Sequence, residues 1–384
     1  MRADQAHVKP HAIRLAKPYF DDREAEAVRG VIDSGWLIQG PRVDQFEEKL
    51  SRYCGSRHCI AVTSGTAALH LSLMALGIRE GDCVLVSSFA WPSAANVTRL
   101  MGARPIFVDS SLSTYNLGTD NLRASITRLG KSGCRPSALI PVHQFGHPCD
   151  IEVVQEVADE FNIPVLEDSA CALGSFISGR HVGTNGRLGV LSFHPRKVIT
   201  TGEGGAIITD DDSLAETCRS LRNHGSLEIP GFNYRMSDIH AAIGVVQMDK
   251  LDEILRKRQA LVGVYLEMLQ HDRGYTLPSY LSWTETTPHL KTSVQTLMLT
   301  LDSDLDRDAI VSRMGESDIE AGMGSVAAHL LPAFSGDSDE EDPCPVATVL
   351  HRQGLALPLH PGMSDDDVAR TVEVLHDAVN RVRR

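Results

Sequence analysis

The chain has 384 residues, 42% hydrophobic and 23% charged, and carries a formal net charge of −13. That length buries a sizeable core in two or more units, and the composition is not that of a disordered chain. The acidic balance argues against nucleic acid or an anionic membrane as partner, since both need a basic surface; a phosphorylated ligand stays open, because backbone dipoles bind phosphate even in an acidic protein.

No apolar run approaches the length of a membrane span, and Met1 to Phe20 mixes His, Lys, Arg and Pro without the apolar core of a signal peptide. From about residue 60 to 210, short apolar runs alternate with amphipathic stretches. The runs predict strands at Val84–Ser88, Pro105–Val108, Ala138–Val142, Pro164–Glu167, Val190–Phe193 and Ala206–Thr209. Between them lie helical patterns such as Ile151–Phe161, with Ile151, Val154 and Val157 on one face. Alternation of this kind predicts an α/β fold, a mostly parallel sheet flanked by helices. In such a sheet ligands gather at the carboxyl ends of the strands.

After Asn233 the pattern changes. Ser237 is placed to cap a long helix from Asp238, with Ile239, Ala242, Ile243 and Val246 on one face. Val294–Leu301 reads as a strand and Ser364–Val382 as a closing helix capped by Ser364. The acidic stretch Ser335–Pro343 reads as a surface loop. The chain therefore divides, on this reading, into a large unit over residues 1–250, an N-terminal segment plus the central sheet, and a smaller α+β unit over 251–384. The eight cysteines, at 54, 59, 83, 134, 149, 171, 218 and 344, form no CxxC pair and no zinc cluster. Reduced thiols in a cytoplasmic protein are the expectation.

Three segments carry chemistry. In the first, Ile60-Ala61-Val62 leads into Thr63-Ser64-Gly65-Thr66 and then an apolar helix. Free N–H groups in a first helical turn suit a phosphate, although Ser and Thr at that position also serve as plain caps. In the second, Val165-Leu166-Glu167-Asp168 ends a strand on an acidic residue. A carboxylate there suits the protonated ring nitrogen of a pyridine cofactor, with an N-cap aspartate as the alternative. In the third, Lys197 follows Ser192-Phe193 and precedes the glycine run Gly202-Glu203-Gly204-Gly205. A buried lysine is a nucleophile toward an aldehyde and a proton shuttle. A lone lysine is ordinarily a solvated surface residue; the order of the three segments in one sheet is what singles this one out.

In that order the segments resemble the DegT/DnrJ/EryC1/StrS family of sugar aminotransferases. Its SGTxAL, EDxAxAxG and SFxxxKxxxxGEGG-like motifs match here at 64–69, 167–174 and 192–205. Gly40 to Glu47, Gly231 to Met236 and Leu357 to Pro361 extend the likeness over nearly the whole chain. The resemblance implies fold type I, with a large cofactor-binding domain, and pyridoxal 5'-phosphate as cofactor. It implies Lys197 as the Schiff-base lysine and Asp168 as partner of the pyridine nitrogen. Ser64, Gly65, Thr66 and Ser192 would hold the phosphate, and Trp91 would stack on the ring, a core tryptophan being the alternative. Asn233 would reach the partner's phosphate across a homodimer interface, so each site would need two chains. Cys171 stands where the family usually has Gln, and a thiol is a weaker hydrogen-bonding group than an amide. His143 and His194 lie near the same edge; contact with ligand is one reading of each, and a structural role, common for a strand-end histidine, is the other.

The reaction implied moves an amino group from glutamate or glutamine to a keto sugar, often nucleotide-linked, or a keto-cyclitol. A dehydratase of the same family would carry histidine in place of Lys197. A binding-only regulator would have no chemical need for the lysine. A nucleotide-binding dehydrogenase is disfavoured by the absence of a GxGxxG turn after the first strand. Loops at Gly35–Gly40, Phe145–His147, Asn223–Tyr234 and Ile319–His329 are the expected walls of the acceptor pocket.

Overall fold

Apolar runs bounded by turn residues become the central sheet in a computed structural model that describes residues 12–131, 133–269, 274–281, 289–334 and 342–383. Strand Cys83–Ser87 pairs in parallel with Arg104–Val108 on one side and Pro136–Ile140 on the other. A second group runs in the spatial order His58–Val62, Gly205–Thr209, Leu188–Ser192, Leu166–Asp168. Parallel bridges from Leu139 to Val165 and from Val142 to Asp168 join the two groups. Within the combined sheet, Gly205–Thr209 is antiparallel to both of its neighbours, while the other strands run parallel to one another. All five residues of Cys83–Ser87 and of Gly205–Thr209 are buried, as expected where helices cover both faces. The six strands expected from the sequence are present, with ends displaced by at most two residues.

The helix Gly65–Ala75 is apolar nearly all round, and Ala67, Ala68, Leu69, Leu71, Ser72 and Leu73 are buried. Helix Ile151–Glu160 buries Ile151, Val154, Val157 and Ala158. The 31-residue helix Asp238–Met268 starts from Ser237, whose side chain accepts from the His240 N–H. Its first residue, Asp238, is buried and accepts from the N–H groups of Gly40 at 2.8 Å and Val43 at 3.1 Å. One helix thereby supplies a carboxylate to the positive end of another, Pro41–Cys54.

Beyond the long helix, Tyr275–Thr276, Leu297–Leu301 and Gly354–Leu357 make an antiparallel sheet. Helix Asp365–Val382 packs nearby with the expected Ser364 cap. The strand expected over Val294–Leu301 begins only at Leu297. Val294 takes a positive φ of 42°, and its carbonyl accepts from Arg258 at 2.8 Å, a tertiary contact that overrides its strand propensity. Of the acidic stretch Ser335–Pro343, residues 335–341 lie outside the described residues; Asp342 accepts from the Cys344 N–H at 3.1 Å.

The expectation of eight reduced thiols does not hold. Cys83 and Cys134 form a disulfide, S–S 2.26 Å, and six cysteines are free. Parallel pairing sets Cys83 opposite Pro136, which brings Cys134 close across 51 residues of sequence.

A buried ion pair fastens the N-terminal segment. Lys250, 1% exposed, donates to both carboxylate oxygens of Glu24 at 2.7 and 2.8 Å and approaches Asp21 at 2.9 Å. Gln247 donates to Glu24 at 2.7 Å and to the Tyr19 carbonyl at 2.9 Å. Replacing Lys250 by Met strands a buried carboxylate, which should cost about 3–5 kcal/mol, read as a lower urea midpoint. The double variant Lys250→Met, Glu24→Met should recover most of that loss; equal instability in both would show that packing, not charge, is at stake.

Candidate active site

Val62 and Ser192 both pair with Gly205, so the carboxyl ends of two strands meet at the amino end of the antiparallel one. The meeting point has no room for a side chain: a carbon added at Gly205 would lie 2.4 Å from the Ser64 carbonyl carbon and 2.5 Å from the Gly65 nitrogen. A carbon added at Gly65 would come within 3.0 Å of Ser192 Cβ and 3.4 Å of its hydroxyl. Ser64 caps the following helix, its hydroxyl accepting from the Ala67 N–H at 3.1 Å, so that side chain is committed to the cap. The N–H groups of Gly65 and Thr66 take no partner among the described residues. Beside Ser192 they form a small cradle of donors at the positive end of a helix.

Glu167 and Asp168 end a neighbouring strand, and their carboxylates have opposite fates. Glu167 is fully buried and saturated: it accepts from the N–H groups of Gly183 at 2.8 Å, Asn185 at 2.6 Å and Gly186 at 2.6 Å. His143 completes the set. The Cys149 N–H donates to its Nδ1 at 3.1 Å, so the ring proton sits on Nε2 and faces Glu167 at 3.0 Å. Burial pushes the Glu167 carboxyl up, but the His143 and backbone N–H groups outweigh it and hold the carboxyl below its usual range. His143 is thus structural, and this buried pair is one that sequence patterns did not single out. Its only signal was a second acidic residue beside Asp168, alternating to the other face of the strand.

Asp168 is 7% exposed. Its backbone is clamped on both sides: its N–H donates to Pro141, its carbonyl accepts from His143, and the Ser169 N–H donates to Val190. One carboxylate oxygen accepts from the Ala170 N–H at 3.0 Å; the other has no partner among the described residues. Burial raises the carboxyl above its usual range, offset in part by that N–H and by the nearby charge of Lys197.

Lys197 stands in a turn closed by its own N–H to the His194 carbonyl at 2.8 Å. The Thr200 hydroxyl and the Thr201 N–H both return to the Phe193 carbonyl, at 2.7 and 3.1 Å. The Nζ of Lys197 lies 3.0 Å from Cys171 Sγ. Asp168, Cys171, Ser192, Lys197 and the Gly65 turn therefore converge on one sheet edge. Trp91 follows the Cys83–Ser87 strand and is 62% exposed, not a core tryptophan. Asn233 is exposed at the base of the hairpin formed by Asn223–Gly225 and Pro230–Asn233. His194 is exposed and accepts from the Arg196 N–H at 3.3 Å.

These residues fit pyridoxal phosphate: a buried carboxylate with one open oxygen, unpaired helix N–H groups, a lysine amine and a free aromatic face. The sequence profile of the DegT/DnrJ/EryC1/StrS aminotransferase family matches residues 18–376. The chain belongs to this family. Among relatives, GDP-perosamine synthase of Caulobacter vibrioides is 35% identical over 94% of this chain and 97% of its own. Among solved structures, the aminotransferase TlmJ from Streptoalloteichus hindustanus has a TM-score of 0.88 at 31% identity, over 97% of this chain and 100% of that one. DesV of S. venezuelae has a TM-score of 0.85 at 30% identity, over 96% and 99%. Like the aminotransferases it resembles, the chain is a pyridoxal phosphate-dependent aminotransferase of fold type I. Among the described residues no helix is long and apolar enough to cross a membrane, and no group of His, Cys, Asp and Glu could hold a metal.

A buried carboxyl with a raised pKa favours the protonated form in the fold, so its burden on stability grows as pH rises from the ordinary carboxyl range to the raised value and vanishes below the ordinary range. Cofactor-free Asp168→Asn should therefore melt higher than wild type at neutral pH, with the gap closing as pH falls through the acid range. Thermal melts across pH check this; a gap independent of pH would overturn it.

Proposed function

We propose that this enzyme transfers an amino group from glutamate or glutamine to the keto group of a nucleotide-linked sugar, with Lys197 as the proton shuttle. The observation that carries the reading is the convergence of Lys197 with the open carboxylate of Asp168 at the edge where the Gly65 turn presents unpaired N–H groups. The name of the Caulobacter relative, a GDP-linked sugar synthase, supports the acceptor class. When bound, pyridoxal phosphate supplies a carbonyl for the amino group and an electron sink for the carbon beside it.

The protein's own residues do the rest. Asp168 holds a proton on the pyridine nitrogen. The Gly65 and Thr66 N–H groups and the Ser192 hydroxyl bind the phosphate, with Ser64 shaping the turn. Trp91, exposed after its strand, would cover one face of the ring. The Nζ of Lys197 would hold the cofactor through its carbonyl and, with the donor in the site, would be the base that takes the proton from the donor α-carbon. Cys171 lies against this nitrogen. In the second half-reaction the same groups work in the opposite sense on the keto acceptor, which gives ping-pong kinetics.

We also read the active enzyme as a homodimer with Asn233 contributing to the partner's phosphate site. The hairpin that carries it exposes apolar side chains at its tip, Leu227 completely and Ile229 at 53%, as a surface awaiting a partner would. Replacing both by Asp should convert the protein to an inactive monomer in sedimentation; a stable dimer would remove the hairpin from the interface.

The decisive measurement is the absorption spectrum of purified protein before and after L-glutamate and, separately, L-glutamine. Wild type should show lysine-bound cofactor that one donor converts to the amine-bearing form, and Lys197→Ala should lose the lysine-bound band. A band that no amino acid discharges would sink the aminotransfer scheme for these donors.

A further inference from the structure

The six free cysteines are not equivalent. Five are buried and Cys171 alone is partly exposed. Burial pushes the Cys54, Cys218 and Cys344 thiols up to about 12 and that of Cys59 well above its usual range. Thiols of that kind are poor targets for oxidants, which act on accessible cysteines in cationic surroundings. Cys171 has such surroundings: the Nζ of Lys197 is 3.0 Å from its sulfur. The third member of the corner is Asp168, more than nine-tenths buried, with one carboxylate oxygen unpartnered among the described residues.

We propose that Cys171 and Lys197 form a reversible sulfur–nitrogen link under peroxide, making Cys171 an oxidative modification site that closes the enzyme to its cofactor. In the first step hydrogen peroxide oxidises the thiol to a sulfenic acid and is reduced to water. In the second the Lys197 amine, its ammonium proton given up to water, attacks the sulfenic sulfur. The S–N bond forms, the S–O bond breaks, and the hydroxyl leaves as water with one of the two amine protons, the other staying on the nitrogen of the sulfenamide. A phosphine and water reverse it: the phosphine becomes its oxide, and thiol and amine are restored. The family's usual Gln at this position has no such chemistry, so the property belongs to the Cys171 of this chain. The link itself depends only on the Cys171–Lys197 geometry; its effect on cofactor loading rests on the proposed role of Lys197.

The test treats the cofactor-free, full-length protein with a small excess of hydrogen peroxide and maps its peptides by mass spectrometry. Mapping is needed because the Cys83–Cys134 disulfide involves the same loss of hydrogens. The expected result is a cross-link between the Cys171 and Lys197 peptides, lighter by two hydrogen atoms than their sum and cleaved by a phosphine. It should be absent in Cys171→Ala and in Lys197→Ala. Oxidised wild type should also lose most of its capacity to bind pyridoxal phosphate and regain it on reduction. Oxygenated Cys171 without the cross-link, or an unmodified Cys171, would overturn the proposal. A second arm saturates the protein with pyridoxal phosphate before oxidation. Suppression of the link agrees with Lys197 holding the cofactor; an undiminished link would keep the sulfur–nitrogen pair and refute that role for Lys197.

Discussion

The active-site edge depends on the approach of two backbones at Gly205 and Ser64–Gly65. The antiparallel strand Gly205–Thr209 is inserted between His58–Val62 and Leu188–Ser192, and its first residue touches the turn that leaves one neighbour and the hydroxyl-bearing end of the other. Any side chain at Gly205 would overlap the Ser64 and Gly65 backbone. At Gly204 it would overlap the Thr201 hydroxyl, at 2.3 Å. Of the glycine run, only Gly202 needs a left-handed backbone, at φ 85°; the other two are there to leave space. That contact holds the cradle of N–H donors level with Ser192, and the ladder onward through Val190 brings Asp168 to the same edge.

Two adjacent carboxylates show how a sheet separates structure from chemistry. Glu167 points to one side, where backbone N–H groups and His143 saturate it and tie the 183–186 turn to the strand. Asp168 points to the other, where the fold leaves one oxygen unmatched. A buried half-satisfied carboxylate is unfavourable for stability. Strand pairings on both sides immobilise the backbone of Asp168 and keep that oxygen in place, as the proposed pairing with a protonated ring nitrogen requires.

The long helix Asp238–Met268 ties the remaining parts together with charged groups rather than with apolar contacts alone. Asp238 caps the helix at Pro41, Lys250 grips Glu24, and Arg258 donates to the carbonyls of Leu359, Val294 and Gln295. Burial lowers Arg258 to about 10, yet at neutral pH it stays charged, and three carbonyl oxygens absorb that charge. The N-terminal segment, the sheet layer and the antiparallel layer therefore share one axis, and a shift in it would be felt at the Lys197 turn through Gln247, whose side-chain oxygen faces the Thr200 N–H.

The amino-acid sequence by itself determined the element types, the near-complete set of central strands, the Ser237 and Ser364 caps and the three segments that meet at the site. Each of these is a local pattern: hydrophobic period, capping chemistry, or a lysine and an aspartate just beyond strand ends. Only the tertiary structure decided the spatial order of the strands, with 205–209 reversed between 58–62 and 188–192. It also decided the Cys83–Cys134 bond, the late start of the strand at Leu297, the saturation of Glu167 by His143, and the approach of Cys171 to Lys197 across 26 residues. The physical reason is common to all of them. Local pattern records which side chains must be buried and with what period, whereas register and close contact between distant segments are fixed by which backbones can approach without clash and which buried polar groups remain to be paired.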